Sequence, residues 1–135
     1  MEMWKKIAIR VFSVIGIVMA LFVLSIIYFL GGRCGSEPYK SVVSPNGKYK
    51  AVIYQFDCGA TTGFSTQISI LGANEDLEES GGNVFSSDGH PNDAAPEVRW
   101  VSDHQLNIHQ RAGFRVYKQE VSSGWLWNKI DITYN

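Results

Sequence analysis

Cysteine and histidine are scarce in this chain, with two of the first and three of the second in 135 residues. The histidines do not group. His104 and His109 are five positions apart, which on a strand turns them to opposite faces. Asp88, His90 and Asp93 offer oxygen and nitrogen ligands, but they lack the spacing of a calcium loop and its closing glutamate. No metal is therefore expected. No cofactor is expected either: Gly59 and Gly63 are followed by neither a helical pattern nor a lysine, so they do not form a phosphate loop. A surplus of positive charge is missing too, with 12 Lys and Arg against 13 Asp and Glu. Nucleic acid would need a basic face. The tripeptide Asn-x-Ser/Thr does not occur, so no N-glycosylation signal is present.

Charge is also absent from one long stretch, between Arg10 and Arg33. Residues 11–30 read VFSVIGIVMALFVLSIIYFL. At 1.5 Å per residue the uncharged stretch spans roughly 33 Å as a helix, enough to cross a hydrocarbon core of about 30 Å. Trp4 and Tyr28 lie near its two ends, where amphipathic rings favour the interface. A cleaved signal would have a shorter apolar run, roughly 7–15 residues, ending at a small-x-small site. Here the exit reads Tyr28-Phe29-Leu30-Gly31-Gly32-Arg33-Cys34, and Arg33 is a poor neighbour for a lipoprotein cleavage site. A retained anchor is the expectation. Lys5, Lys6 and Arg10 precede the span against Glu2 alone, whereas nine basic and twelve acidic residues follow it. The positive-inside rule then puts residues 1–10 in the cytoplasm and everything after residue 30 outside. For a bacterium this means an inner-membrane anchor and a periplasmic domain.

The exposed part divides into a short tether, residues 31–39 (GGRCGSEPY), and a domain, residues 40–135. Its signals are strands and turns. Ser44-Pro45-Asn46-Gly47 is strong turn chemistry. Residues 48–56 (KYKAVIYQF) are aromatic and β-branched on both faces, as a central strand would be. Residues 64–71 (FSTQISIL) alternate, with Phe64, Ile68 and Ile70 on one face and Ser65, Gln67 and Ser69 on the other. An acidic loop covers residues 74–82 and a polar loop residues 87–96, with a short strand between them at 83–86. Residues 98–101 and 105–110 form a hairpin whose second arm turns Leu106 and Ile108 inward, Asn107 and His109 outward. Strands at 114–118 and 129–134 complete the set. No segment after the anchor has a sustained helical period. The fold expected is mainly β: an N-terminal transmembrane helix followed by a small antiparallel β-meander.

The segment SPNGKYKAVIY resembles the opening of a β-propeller repeat, and residues 98–106 resemble the second strand pair of such a blade. That implies twisted antiparallel sheet geometry, although one chain of this length is too short to close a propeller. The order of anchor, SPNGKYKAVIYQFDCGATTGFSTQISIL, Asn83-Val84-Phe85 and VRWVSDHQLNI resembles a family of small bacterial single-pass membrane proteins with no established activity. The resemblance implies the fold and the membrane location.

The stretch DCGATTGFST poses the chemical question. Cys58 could be a nucleophile, a metal ligand or half of a disulfide. Cys34 and Cys58 are the only cysteines and would share one oxidising compartment, which favours a bond between them. A cysteine-dependent enzyme would need a base, and His90 in the polar loop is the best placed candidate. Gly59 and Gly63 permit tight turns, while Asp57, Thr61, Thr62, Ser65 and Thr66 can bond neighbouring backbone or form a polar rim for a protein or glycan. Trp100 alternates with Val98 as a core residue would. Trp125 and Trp127, in SSGWLWN, share a side if extended, and an exposed pair of that kind anchors an interface or touches a bilayer.

The function these features support is binding without catalysis, by a membrane-anchored periplasmic domain whose partner is an envelope protein. An immunity protein or inhibitor acting on an envelope toxin or lytic enzyme is one concrete form. The alternatives are an envelope enzyme using Cys58 and His90, and an accessory subunit of an inner-membrane complex packing through Gly16 and Ala20.

Overall fold

The computed structural model describes residues 1–30, 34–59, 63–78 and 81–135. The chain forms two compact units, divided after Arg33. The described residues of the first form one helix, α1 (Glu2–Leu30). It has no proline and only one glycine to interrupt it, and Glu2 in its first turn complements the helix dipole. At 29 residues it is about 44 Å long. It is long and apolar enough to cross a membrane.

The described residues of the second unit form nine strands in two sheets. In chain order they are β1 (Gly35–Val43), β2 (Tyr49–Asp57), β3 (Ser65–Gly72), β4 (Phe85–Asp88), β5 (Glu97–Ser102), β6 (Gln105–His109), β7 (Val116–Gln119), β8 (Ser122–Ser123) and β9 (Ile130–Tyr134). A short helix, α2 (Pro91–Ala94), joins β4 to β5. One sheet has the order β1-β2-β3-β4-β7 and the other β5-β6-β9-β8. Strands β1 to β4 make an antiparallel meander, as the alternation and turn signals predict. One pair runs the other way: β9 lies parallel to β6, with Gln105 beside Asp131. After β6 the chain crosses to the first sheet as β7, re-enters the second as β8, and turns so that β9 starts at the end where β6 begins.

Period-2 alternation gives each sheet one inner face. Ala51, Ile53, Ile68, Ile70 and Phe85 meet Val98, Leu106, Ile108, Ile130 and Ile132 in a single core. Leu106 and Ile108 are buried, while His109 is exposed and Asn107 half-buried, which agrees with the hairpin read from sequence. Trp100 packs on the edge of this core, and its Nε1–H donates to the Val42 carbonyl at 2.8 Å, tying the two sheets together. Tyr134 closes the far side by donating its hydroxyl to the carbonyls of Glu120 (2.7 Å) and Val84 (3.2 Å).

Residues 35–39, expected in the tether, belong instead to β1 and pair with β2 in the register Gly35↔Asp57 to Pro38↔Tyr54. They escape the alternation test because β1 is an edge strand with most of its residues exposed, and Pro38 sits where its missing N–H costs little. Residues 31–33 of the expected tether lie outside the described residues.

The outer face of the first sheet is buried as well. Tyr54, Val52, Gln67 and Ser69 point away from the core yet are almost inaccessible. The acidic segment covers them, and specific bonds hold it there. Ser36 Oγ donates to the Glu78 carbonyl at 3.1 Å, the Asn83 N–H to Ser69 Oγ at 3.2 Å, and the Gly82 N–H to Gln67 Oε1. The Asn83 side-chain amide exchanges two 2.9 Å bonds with the Ile70 backbone and so stands in for a strand neighbour. Gly82 is required by the close approach, since a Cβ there would collide with the carbonyl oxygens of Phe85 and Ile68. The sequence shows an acidic loop; the fold uses it as a bolted third layer. Glu79 lies outside the described residues.

Candidate functional site

Cys34 and Cys58 are joined in a disulfide, with S–S 2.05 Å and Cα atoms 3.8 Å apart. The bond closes the ends of β1 and β2 one step beyond the Gly35↔Asp57 pair. Cys58 is thus not a free thiolate, and a cysteine nucleophile is unavailable while the bond stands.

The other residues singled out by sequence are where the chain leaves this end of β2 and returns as β3. Asp57 Oδ1 accepts the Gly59 N–H at 2.9 Å, an Asx turn that bends the chain, with Gly59 at φ 111°. Ser65 Oγ donates to the Phe56 carbonyl (3.1 Å) and accepts from Gln67 Nε2 (3.0 Å). Thr66 is fully buried on the inner face, its Oγ1 donating to the Gly89 carbonyl at 2.9 Å. His90 caps α2 by accepting the Asn92 N–H on Nδ1 at 3.1 Å, with Pro91 in the first helical position. Its ring meets Phe64 edge-on, centroids 5.5 Å apart. Each of these four has committed polar atoms to the fold. Thr61 and Thr62 lie outside the described residues.

The same end of the sheet carries a feature that no local motif announces. Cross-strand partners share a face, so Phe56, Ser65 and Asp88 line up on the outer side, followed by Tyr54, Gln67 and Ser86. The acidic segment covers Tyr54 and stops at Gln67. Beyond it an open groove of about 490 Å³ runs across the strands, lined by Phe56, Phe64, Tyr117, Ser65, Ser86 and Asp88, with Cys58 at its border. Crossing from β2 to β7 covers three strand spacings, roughly 14 Å. Phe64 and Tyr117 are 51% and 61% exposed, so two aromatic rings are presented to solvent rather than spent on the core. The alternation over residues 64–71 puts Phe64 on one face with Ile68 and Ile70. The strand instead begins at Ser65, and the Phe64 carbonyl is turned to accept the Gly89 N–H at 3.1 Å. Asp88, which also lines the groove, accepts the Arg115 N–H on Oδ1 at 2.6 Å, and this holds β4 to the segment leading into β7.

A second cavity, about 600 Å³, opens under the acidic segment between Leu71, Leu77, Glu75, Asp76 and Glu78. Glu75 spends one carboxylate oxygen on the Gly72 N–H at 3.1 Å, and no group of three metal-ligating side chains occurs among the described residues.

Trp125 and Trp127 are exposed to 77% and 85%, with Leu126 between them at 66%. Trp125 is extended but the chain turns after it: Leu126–Asn128 is a 3₁₀ turn, closed by the Asn128 N–H on the Trp125 carbonyl at 3.0 Å.

The fold and the site together define a class, a disulfide-closed β-sandwich with an aromatic groove, preceded by an apolar helix of membrane-spanning length. No protein-family model matches the chain, and no curated protein or solved structure matches it either.

Proposed function

We propose that this chain is a membrane-anchored, extracytoplasmic binding domain that captures another envelope protein without catalysing a reaction. The observation that carries the reading is the groove at Phe56, Phe64 and Tyr117, where apolar rings stay open to solvent beside a small set of polar groups. Ligand sites have this composition, a mostly apolar lining with a few placed hydrogen-bonding groups. The disulfide and the Asx turn at Asp57 fix the rim before any partner arrives, which lowers the entropy cost of binding. An aromatic or aliphatic side chain of the partner would enter the groove, with Asp88 available to a donor beside it.

The helix supplies the location. The excess of Lys5, Lys6 and Arg10 before the span supports a cytoplasmic N-terminus, with the sandwich on the periplasmic side of an inner membrane. A small pre-organised domain held at that surface suits interception of an envelope-acting toxin or lytic enzyme, as an immunity protein or inhibitor would do.

The test uses the full chain isolated from membranes. Phe64→Asp puts a charge into the groove at a half-exposed position, so it should abolish co-isolation of the partner while leaving thermal unfolding nearly unchanged. Undiminished capture by the variant would remove the groove from the account.

A further inference from the structure

The loop between β8 and β9 reads Gly124-Trp125-Leu126-Trp127-Asn128, and its two tryptophans are the most exposed large apolar side chains among the described residues of the sandwich. Two backbone features fix it in that posture. Gly124 has φ 83°, and a Cβ there would collide with the Asn128 carbonyl oxygen, so the loop is pinched shut at its base. Leu126 has φ 47°, the left-handed region that glycine and asparagine occupy cheaply and leucine does not. A strained leucine that is itself two-thirds exposed contributes little to the core. Strain of this kind collects at sites of function.

The loop's chemistry selects its partner. Residues 122–128 contain no charged side chain, so moving them out of water desolvates no ion. Tryptophan is the residue most at home at a membrane–water interface, where its ring is buried and its N–H stays wet. The flanking Lys129 and Asp131 form an ion pair at 3.5 Å, so the border of the loop carries no net charge. The bilayer is also always near. Three residues, 31–33, link Leu30 to Cys34, a reach of roughly 14 Å. A weak interfacial affinity therefore acts at high effective concentration.

We infer that the Trp125-Leu126-Trp127 loop inserts into the lipid interface and forms a second attachment of the sandwich to the membrane. This attachment lies far from the first. Val42 is eight residues along β1 from Cys34, roughly 26 Å. Trp100 bonds to Val42, and Leu106 joins Trp100 to Ile132 across the second sheet, so the loop before Ile130 sits at or beyond that level. Two attachments that far apart remove the swing that the disulfide end alone would allow.

The inference rests on α1 being a membrane anchor, and the test separates the two claims. The full chain, with its four tryptophans replaced by 5-fluorotryptophan, is placed in phosphatidylcholine nanodiscs with and without a lipid nitroxide near the headgroups. Four fluorine signals, assigned by single Trp→Phe changes, report each site. Trp4, in the helix, and Trp100, inside the sandwich, are the internal references. The Trp125 and Trp127 signals should lose most of their intensity as Trp4 does, while Trp100 keeps its own. Leu126→Gly relieves the left-handed strain and removes the apolar wedge, so it should stabilise the fold yet weaken the loss at both tryptophans. If Trp4 is broadened but Trp125 and Trp127 behave like Trp100, the loop is free for a protein partner and the inference fails alone. If Trp4 also escapes broadening, the anchor fails with it.

Discussion

Cys34 and Cys58 face each other across the last rung of β1 and β2, their Cα atoms 3.8 Å apart, where the sandwich begins and the aromatic groove has its border. One bond thus serves two ends. It closes the chain as it enters the domain and holds the rim of the groove.

Breaking that bond should cost stability from either side equally. A closed loop with a sequence separation of 24 is worth roughly 3 kcal/mol in the chain-entropy model. Urea unfolding of Cys34→Ser, Cys58→Ser and the double variant should give three similar losses, since each removes the same closure. Thiol labelling of denatured protein should appear only after reduction. Loss of function confined to Cys58→Ser, with stability intact, would point to thiol chemistry instead.

Gly82 should tolerate no side chain. A Cβ there meets the backbone oxygens of Phe85 and Ile68, which cannot swing away as a side chain would. Gly82→Ala should destabilise by about 2 kcal/mol or more, by lifting the acidic layer off Tyr54. Gly35→Ala, into open space, should change stability by less than about 0.5 kcal/mol. Equal responses in a denaturation series would refute the picture of a bolted layer.

Ser87 offers the opposite sign. It lies on the inner face, nearly inaccessible, and its Oγ has no hydrogen-bond partner among the described residues. A buried hydroxyl without a partner loses its hydration and gains nothing in return. Ser87→Ala should therefore raise stability, by about 1 kcal/mol, a gain that a melting curve would show. A loss of that size would mean that an ordered water satisfies the hydroxyl.

Tyr134 sets an alkaline limit. Burial, and then the Glu120 carboxylate, push its hydroxyl from 10.0 up to about 12. The folded state keeps its proton more tightly than the unfolded chain. Its contribution is therefore complete below pH 10 and is lost as pH rises toward 12. Stability measured across that window should fall, and Tyr134→Phe should flatten the fall while being less stable at neutral pH, where both carbonyl bonds are lost. An unchanged slope in the variant would assign the alkaline loss elsewhere, with Tyr54 next in line because burial raises it too.

What could be read from the sequence was local. KYKAVIYQF and the hairpin around Ser102-Asp103-His104 announce their strands, because alternation and turn chemistry act over a few residues. The pairing of two cysteines follows from their number. β1 was invisible for the reason that makes it an edge, exposure of most of its residues together with Pro38. The polar stretch around Cys58 suggested a rim of hydroxyls, but Asp57, Ser65, Thr66 and His90 turn theirs, or an equivalent acceptor, to holding the backbone. The groove needed Phe56, Phe64 and Tyr117, from parts of the chain that only the β4–β7 pairing brings together. No window of adjacent residues contains that information.

The most direct test of the binding account is photo-crosslinking in living cells from a benzoyl-phenylalanine placed at Tyr117, on the groove, and at His109, on the polar face of the other sheet. The account predicts a discrete protein adduct from Tyr117, absent from His109 and abolished by Phe64→Asp. Adducts that are equal from both positions, or that survive the Phe64 change, would contradict it.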